Sequence, residues 1–313
     1  MAHERHLRAP GPTSSNRREA STVKKRSIEG PPDLDLHLTL GSGRADPTGP
    51  RGWWATRTPD GSATVVFERQ GHTIEATAWG DGADWILDQT PRLLGLDDHP
   101  EDFVPTHRLL HDLQKRKRGL RIGRSDRVFE SIVPAILGQK IATREAHRNE
   151  RALTTAASEP APGPLDLMLP VAAEVLAEIP YWQMHELGIE RKRADLLRFV
   201  AKRSGRLEEI VGMSGDAAFS RLTAFPGIGP WTAALVMGTA LGDADAVPVG
   251  DYHIPNMVAW ALAGEPRSDD TRMLELLEPY RGHRGRVIRL LKAGEIRAPK
   301  YGPKTALRSI SQI

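Results

Sequence analysis

The sequence predicts an α+β protein in which a small antiparallel sheet precedes a larger helical region. Three observations support this fold class. Apolar and polar residues alternate with a period of two in several stretches between residues 34 and 78, which is typical of half-buried strands. Short Gly- and Pro-containing turns separate these stretches, as in consecutive hairpins. From about residue 100 the apolar residues recur at helical spacing instead, so the second part of the chain is expected to be all helical.

The domain boundaries follow from changes in composition. Residues 1–32 are polar, basic and rich in Ser, Pro and Gly, so they are expected to form a disordered arm. Residues 33–100 are expected to form the sheet domain, residues 101–298 the helical domain, and residues 299–313 a C-terminal tail. Within the sheet domain the predicted elements are strands at 34–40, 52–58, 63–69 and 72–78 and a helix at 83–94.

The helical domain opens with a strongly apolar helix face. Phe129, Ile132 and Ile136 follow helical spacing. Pro134 lies inside this pattern and is expected to kink the helix or to mark its true start. Further helices are predicted at 171–178, 190–203, 217–224, 231–241, 252–263 and 270–277.

Composition and charge narrow the functional classes. The chain has 313 residues and no cysteine, which excludes disulfides, a thiolate nucleophile and cysteine-ligated metal sites. It contains neither an apolar run long enough for a membrane helix nor the apolar core of a signal peptide, so we expect an intracellular protein. The net charge is +3, but residues 105–127 and 281–304 each carry eight Lys/Arg. Such basic stripes indicate a polyanionic partner such as DNA, or simply solvated faces.

The most informative segment joins two predicted helices by a glycine turn. Residues 225–234 have the sequence FPGIGPWTAA. Gly227 and Gly229 permit unusual backbone angles and close approach of another backbone. The helix that follows presents free N–H groups and a positive dipole end, which can hold a phosphate. Pro230 suits its first position, where the missing N–H costs nothing.

This string resembles the helix–hairpin–helix of the HhH-GPD superfamily of DNA glycosylases, and within it the 3-methyladenine DNA glycosylase II branch. Three other stretches resemble the same family: residues 129–139, which end in a Gly-Gln pair; residues 187–194; and residues 247–252. The resemblance implies a small sheet domain followed by a helix–hairpin–helix glycosylase domain. It also implies an enzyme that hydrolyses the N-glycosidic bond of a damaged base.

In this family an aspartate follows the hairpin by about twenty residues, and Asp251 lies twenty residues after Trp231. A carboxylate there stabilises the positive charge that develops on the sugar and orients or deprotonates the attacking water. The alternative role for Asp251 is to cap the helix predicted to begin at Tyr252. Both roles are compatible with one side chain.

The resemblance also suggests roles for the hairpin. In bifunctional glycosylase/lyases a lysine stands at the position of Trp231 and attacks the sugar, so Trp231 implies a monofunctional enzyme. Trp231 itself either stacks on the flipped base or packs in the core. Backbone amides of Gly227, Gly229 and Thr232 are expected to face a DNA phosphate. The family holds a structural monovalent cation, Na⁺ or K⁺, through carbonyls that correspond here to Thr223, Phe225 and Ile228.

Several expected contacts with the flipped base depart from the family pattern. The residue that fills the gap left by that base is expected after Gly138, where the candidates are Gln139 and Lys140. Lys140 could instead contact a phosphate or remain a plain surface residue. Besides Trp231, the candidates for the base pocket are Leu235, Tyr252 and Arg289.

The resulting functional hypothesis is a monofunctional DNA glycosylase that flips out a damaged base, expected to be alkylated, and leaves an abasic site. The alternatives are the same scaffold with specificity for a deaminated or oxidised base, and a non-catalytic DNA-binding protein. No catalytic cofactor is expected beyond the structural cation. The expected partner is double-stranded DNA, and we expect a monomer located in the cytoplasm at the nucleoid.

Overall fold

The computed structural model describes residues 23–41 and 43–299. Within these ranges one antiparallel sheet has the strand order β1-β4-β3-β2. Its strands are β1 (Lys24–Glu29), β2 (Arg51–Thr58), β3 (Gly61–Gln70) and β4 (Thr73–Trp79). Most of the remaining described chain is helical, which confirms the predicted fold class.

The helices of the described chain are mostly short. They are α1 (Leu36–Leu40), α2 (Ala83–Leu93), α3 (Arg108–Arg116), α4 (Val128–Leu137), α5 (Thr143–Ala157), α6 (Ala173–Glu178), α7 (Tyr181–Glu186), α8 (Arg191–Ala201), α9 (Ser204–Glu208), α10 (Gly215–Thr223), α11 (Pro230–Val236), α12 (Ile254–Ala263), α13 (Asp270–Leu277) and α14 (Arg284–Ala293). Helix α11 continues as a π-helical turn over Met237–Leu241. None of the helices in this part of the chain combines the length and the apolar run needed to cross a membrane.

Strand β1 lies inside the segment predicted as a disordered arm, so the predicted start of order at residue 33 is wrong. The strand pairs with β4 and places Ile28 opposite Ile74. Its charged side chains bind acidic residues of α2: Lys24 pairs with Asp84, and Arg26 with Asp88. With Ile28 as its single apolar residue, β1 shows no alternation of apolar and polar residues that would predict a strand. It is held in the sheet by its pairing with β4, which lies far away in the sequence. The rest of the predicted arm, residues 1–22, and nearly all of the predicted tail lie outside the described residues.

The leucine-rich stretch from Leu34 to Leu40 is also not a strand. Asp35 caps the helix α1, and its carboxylate accepts a hydrogen bond from the Leu38 amide at 2.9 Å. Leu36 and Leu40 lie four residues apart and are both buried, as helical spacing requires. The alternation of two is therefore coincidental, and the capping aspartate is the signal that determines the structure.

The other predicted strands and helices agree with the structure to within about two residues at each end. Pro134 does not mark the start of its helix. Helix α4 begins earlier because the Glu208 carboxylate accepts hydrogen bonds from the amides of Val128 and Phe129, both at 3.0 Å. These bonds satisfy two of the free N–H groups that every helix start presents.

Three hydrophobic cores organise the described chain. The first lies between the sheet and α2. The second is formed mainly by α4, α8, α10 and α11. The third is formed by α3, α12, α13 and α14. The predicted helical domain thus contains two cores. Glu130 of α4 ties the first to the second, because its carboxylate accepts from the Thr56 hydroxyl at 2.7 Å and the Arg57 amide at 2.8 Å.

Candidate active site

The segment between α10 and α11 forms the hairpin predicted from the sequence. Gly227 has a φ of +88°, and an added Cβ would lie 3.0 Å from a methyl carbon of Leu196. Only glycine combines that backbone angle with so little space. Among the described residues, the backbone amides of Gly227, Gly229 and Thr232 donate no hydrogen bond. Three unpaired amides therefore mark the start of α11, where the helix dipole favours an anion.

The Gly-Gln pair at the end of α4 contacts this hairpin. A Cβ on Gly138 would lie 3.2 Å from the ring of Trp231, so the glycine makes room for the indole. The Gln139 side-chain amide donates to the Gly227 carbonyl at 3.1 Å and to the Thr232 hydroxyl at 2.9 Å. The pair joins α4 to the turn and to the start of α11, and it thereby sets their relative position.

Asp251 accepts three hydrogen bonds in the described structure. Its Oδ2 accepts from Trp231 Nε1 at 2.9 Å, and its Oδ1 accepts from the amides of His253 at 2.8 Å and Ile254 at 2.9 Å. Burial raises the pKa of Asp251. The hydrogen bonds from Trp231, His253 and Ile254, together with the charge of Lys292, outweigh burial and bring this pKa below its ordinary value. Asp251 is therefore held as a carboxylate at neutral pH.

Trp231 is half-buried and lines a cleft, so it is not a core tryptophan. Its indole N–H points at the carboxylate that the sequence singled out. The side chain thus positions Asp251 while one part of its ring packs on Gly138.

A cleft of about 1250 Å³ is lined by residues of the first and second cores and by the segment around Asp251. The sheet contributes Trp53 and Trp54, and the second core contributes Leu235 and Trp231. Asp251 and its neighbours complete the wall beside the third core. The volume exceeds that of many small-molecule pockets and suits an extruded nucleotide together with part of its strand.

Of the two candidates for the gap-filling residue, Gln139 has both of its N–H donors engaged by the hairpin. Lys140 is exposed, lines the cleft and has a φ of +59°. A positive φ on a residue other than glycine is uncommon and costs free energy, and such residues cluster at functional sites. Lys140 is thus the candidate that the geometry leaves free.

The three remaining candidates for the base pocket, Leu235, Tyr252 and Arg289, do not all lie in the cleft. Leu235 and Tyr252 line the cleft, and Tyr252 is 84% exposed with its ring edge-on to His253. Arg289 does not line it: its guanidinium donates to the Gly238 carbonyl in the π-helical turn. The prediction for Arg289 is therefore wrong, because its guanidinium is engaged by the Gly238 carbonyl and does not reach the cleft.

Other arginines of the basic stripe at 281–304 also have partners within the protein. Arg284 binds Asp245, and Arg286 binds Asp98 with both side chains almost fully buried. Arg281 forms an exposed pair with Glu278. Several arginines of this stripe therefore form ion pairs within the protein, and a count of charges in the sequence does not show these partners.

Sequence reasoning missed two cations in the cleft wall, Arg44 and Lys292. The guanidinium of Arg44 lies 3.7 Å from the centre of a Trp54 ring, a cation–π arrangement. Lys292 lies in the last turn of α14, three residues after the arginine that sequence reasoning selected. In the sequence, Lys292 is marked only by its position directly after Leu290 and Leu291, two leucines that are buried in the structure.

The carbonyls expected to hold a monovalent cation lie at the hairpin. In the described structure the carbonyls of Thr223 and Ile228 accept no hydrogen bond, whereas that of Phe225 accepts from the Ile228 amide at 3.0 Å. Each carbonyl oxygen has two lone pairs. The three residues therefore retain acceptor capacity that fits a small cation.

The fold and this hairpin together define the class: the chain has the fold of the helix–hairpin–helix DNA glycosylases. No family model matches it. It is similar to the 3-methyladenine DNA glycosylase of Archaeoglobus fulgidus, with a TM-score of 0.73 and 21% identity over 86% of this chain and 98% of that one. It is also similar to an 8-oxoguanine glycosylase/lyase of Clostridium acetobutylicum bound to double-stranded DNA, with a TM-score of 0.63 and 15% identity over 88% and 99%.

A sequence relative extends this likeness. Over 167 residues the chain is 34% identical to a "probable bifunctional transcriptional activator/DNA repair enzyme AlkA" of Mycobacterium tuberculosis. The match covers 51% of this chain and 33% of the relative, so the chain spans about a third of the length of the curated relatives it matches. The resemblance to helix–hairpin–helix glycosylases predicted from the hairpin string is confirmed.

Proposed function

We propose that this chain is a monofunctional DNA N-glycosylase of base excision repair that releases a damaged, alkylated base. The single observation that carries the proposal is the carboxylate of Asp251, held ionised by three donors inside a large cleft beside the hairpin. A protein that only bound DNA would gain nothing from an anion at that place, because DNA is itself anionic.

Asp251 acts on the sugar in this mechanism. Breaking the bond between C1′ and the base leaves positive charge on the sugar ring, as in glycoside hydrolysis. A fixed carboxylate stabilises that charge without reorganisation. It also orients the water that attacks C1′ and accepts a proton from it. Trp231 cannot form an imine with the sugar, so the product is an abasic site in an intact strand.

The surrounding elements hold the DNA. The amides of Gly227, Gly229 and Thr232 would bind a phosphate at the start of α11. The carbonyls of Thr223, Phe225 and Ile228 would hold a Na⁺ or K⁺ ion that bridges the hairpin to the same strand. Lys140 would enter the gap left by the flipped nucleotide, which costs a few kcal/mol to extrude. The partner is double-stranded DNA with a damaged base, which places the enzyme inside the cell.

Base release from a lesion panel tests the proposal. Duplexes with 3-methyladenine, 7-methylguanine, hypoxanthine, uracil or 8-oxoguanine are incubated with the wild type and with Asp251→Asn. Asparagine keeps the size and the capping oxygen but removes the charge, so we expect at least a hundredfold slower release with unchanged DNA affinity, about 2.7 kcal/mol or more of transition-state stabilisation.

Three results would contradict the proposal. Equal release by the wild type and Asp251→Asn would remove Asp251 from the chemistry. Strand cleavage without alkali would show a lyase step and exclude the monofunctional mechanism. Binding of every duplex with no release of any base would favour a DNA-binding protein.

A further inference from the structure

Lys292 is a cation inside the cleft that the proposed mechanism does not use. It lies in the last turn of α14, and α14 packs on α12, whose start is capped by Asp251. Its side chain is open to solvent and lines the same cleft as Asp251 and Trp231. The tip of α14 thus contributes to the wall a group that carries three N–H donors and no acceptor.

The Lys292 ammonium has no partner in the described part of the chain: it forms neither a hydrogen bond nor an ion pair within 4 Å there. The protein around it lowers the pKa of Lys292 by desolvation, the charge of Asp251 raises it, and Arg289 lowers it further. Asp251 and Lys292 therefore influence each other electrostatically, although no hydrogen bond or ion pair joins them in the described structure. The cleft thus presents both a carboxylate and a set of free N–H donors to a group that enters it.

A flipped nucleotide has the matching polarity. Its sugar must lie at Asp251, where positive charge develops, so its base extends away from that carboxylate into the cleft. An ammonium without a protein partner can form a charge-assisted hydrogen bond to an oxygen acceptor on the base. An amino group at the same edge would set donor against donor and leave Lys292 without a partner.

We propose that Lys292 determines specificity by donating a hydrogen bond to a carbonyl oxygen of the flipped base. This inference rests on the proposed function. It predicts that alkylated guanine-type bases are released in preference to alkylated adenine-type bases. The two classes offer a clean comparison. As nucleosides, 7-methylguanine and 3-methyladenine both carry positive charge, but the first has a carbonyl at C6 and the second an amino group. Because both bases are cationic, a change in their relative release on removal of Lys292 is not caused by a difference in net charge.

The alternative role for Lys292 is contact with a DNA phosphate. Such a contact carries no information about the base and would weaken binding uniformly for all lesions. Lys192 is a suitable control for that role, because it is an exposed lysine of α8 that lines the same cleft on the hairpin side, together with Gly227.

The experiment measures single-turnover release of 7-methylguanine and of 3-methyladenine by the wild type, Lys292→Met, Lys292→Arg and Lys192→Met. Methionine preserves the length of the side chain without donors, and arginine restores donors. For Lys292→Met we expect the ratio of 7-methylguanine to 3-methyladenine release to fall at least tenfold, and for Lys292→Arg we expect much of it to return. For Lys192→Met we expect both rates to change together and the salt slope of DNA binding to fall by about one.

The other possible outcomes each contradict a specific part of the proposal. An unchanged ratio in a Lys292→Met protein that remains folded by circular dichroism overturns the specificity role, whether the two rates are kept or fall equally. If Lys292→Arg restores none of the ratio of 7-methylguanine to 3-methyladenine release, a hydrogen bond from this side chain is not the cause of the preference. If the wild type releases neither base, the proposed function itself fails, which is distinguishable because that result does not depend on any variant.

Discussion

At the scale of the residue, the two oxygens of Asp251 perform different tasks. Oδ1 accepts from the amides of His253 and Ile254 and caps α12, while Oδ2 accepts from the Trp231 indole at 2.9 Å. The capping role is therefore carried by Oδ1, and the catalytic role proposed for Asp251 would fall to Oδ2. The backbone amides fix the direction of the carboxylate, and Trp231 adds a donor that stabilises its charge.

Replacing Trp231 by phenylalanine separates its two possible contributions. Phenylalanine keeps an aromatic face but removes the donor to Asp251. A lost hydrogen bond to a charged group costs about 1.5–3 kcal/mol, so we expect base release to slow by about tenfold to a hundredfold. The indole N–H lowers the pKa of Asp251, after burial has raised it. Without the donor this pKa rises, so protonation inactivates the enzyme at higher pH than in the wild type.

The measurement is the pH profile of single-turnover release for the wild type and Trp231→Phe. We expect the acid limb of the variant to lie at higher pH. An acid limb in the same place with an unchanged rate would mean that Trp231 serves only as an aromatic surface.

At the scale of the element, the end of α4 holds the hairpin. Gln139 spans 88 positions of sequence to reach the Gly227 carbonyl and 93 to reach Thr232. The next residue, Lys140, points into the cleft region with a positive φ. Of these two neighbouring residues, Gln139 joins two elements of the protein, and Lys140 has the role of meeting the DNA in the proposed function.

The pair Gln139→Ala and Lys140→Ala tests this division. Gln139→Ala removes two hydrogen bonds, so we expect a loss of about 1–3 kcal/mol in the free energy of unfolding and weaker DNA binding. Lys140→Ala leaves the backbone angle equally uncommon and removes no bond within the described protein. We expect its stability to stay within about 0.5 kcal/mol of the wild type while base release slows.

Urea unfolding and base-release assays on both variants provide the comparison. If Lys140→Ala releases the base at the wild-type rate, Lys140 does not fill the gap in the DNA. If Gln139→Ala is as stable as the wild type, the contact with the hairpin contributes nothing to the fold.

At the scale of the whole molecule, one ion pair joins the exit of the sheet domain to the last helix. Arg286 of α14 binds Asp98 with two N–H donors, and the side chains are 3% and 7% exposed. Asp98 also accepts from the Ile122 amide at 2.9 Å. Because α14 carries Lys292 into the cleft, this buried contact sets the position of one wall of the site.

Removal of one partner of a buried pair leaves the other charge without compensation and typically costs about 3–5 kcal/mol. We therefore expect Arg286→Leu to lower the free energy of unfolding by about that amount. Arg281→Ala is the matched control in the same segment, since its pair with Glu278 is 66% and 54% exposed. Such exposed pairs contribute about 0–1 kcal/mol.

Denaturant unfolding of both variants measures the difference. A loss below about 1 kcal/mol for Arg286→Leu would show that the hydrophobic contacts of the third core position α14 without the ion pair.

The sequence by itself determined the features that depend on neighbours along the chain. The alternation of strands β2, β3 and β4, the glycine turn with proline at the first helical position, and the place of Asp251 after the hairpin all rest on short-range spacing, and the structure shows each of them. The tertiary structure alone decided the rest: strand β1, the attachment of Gln139 to the hairpin, the burial of Arg286 against Asp98, and the entry of Lys292 rather than Arg289 into the cleft. Each of these depends on a partner tens of residues away or on how a helix packs against its neighbours, and neither leaves a mark in local periodicity.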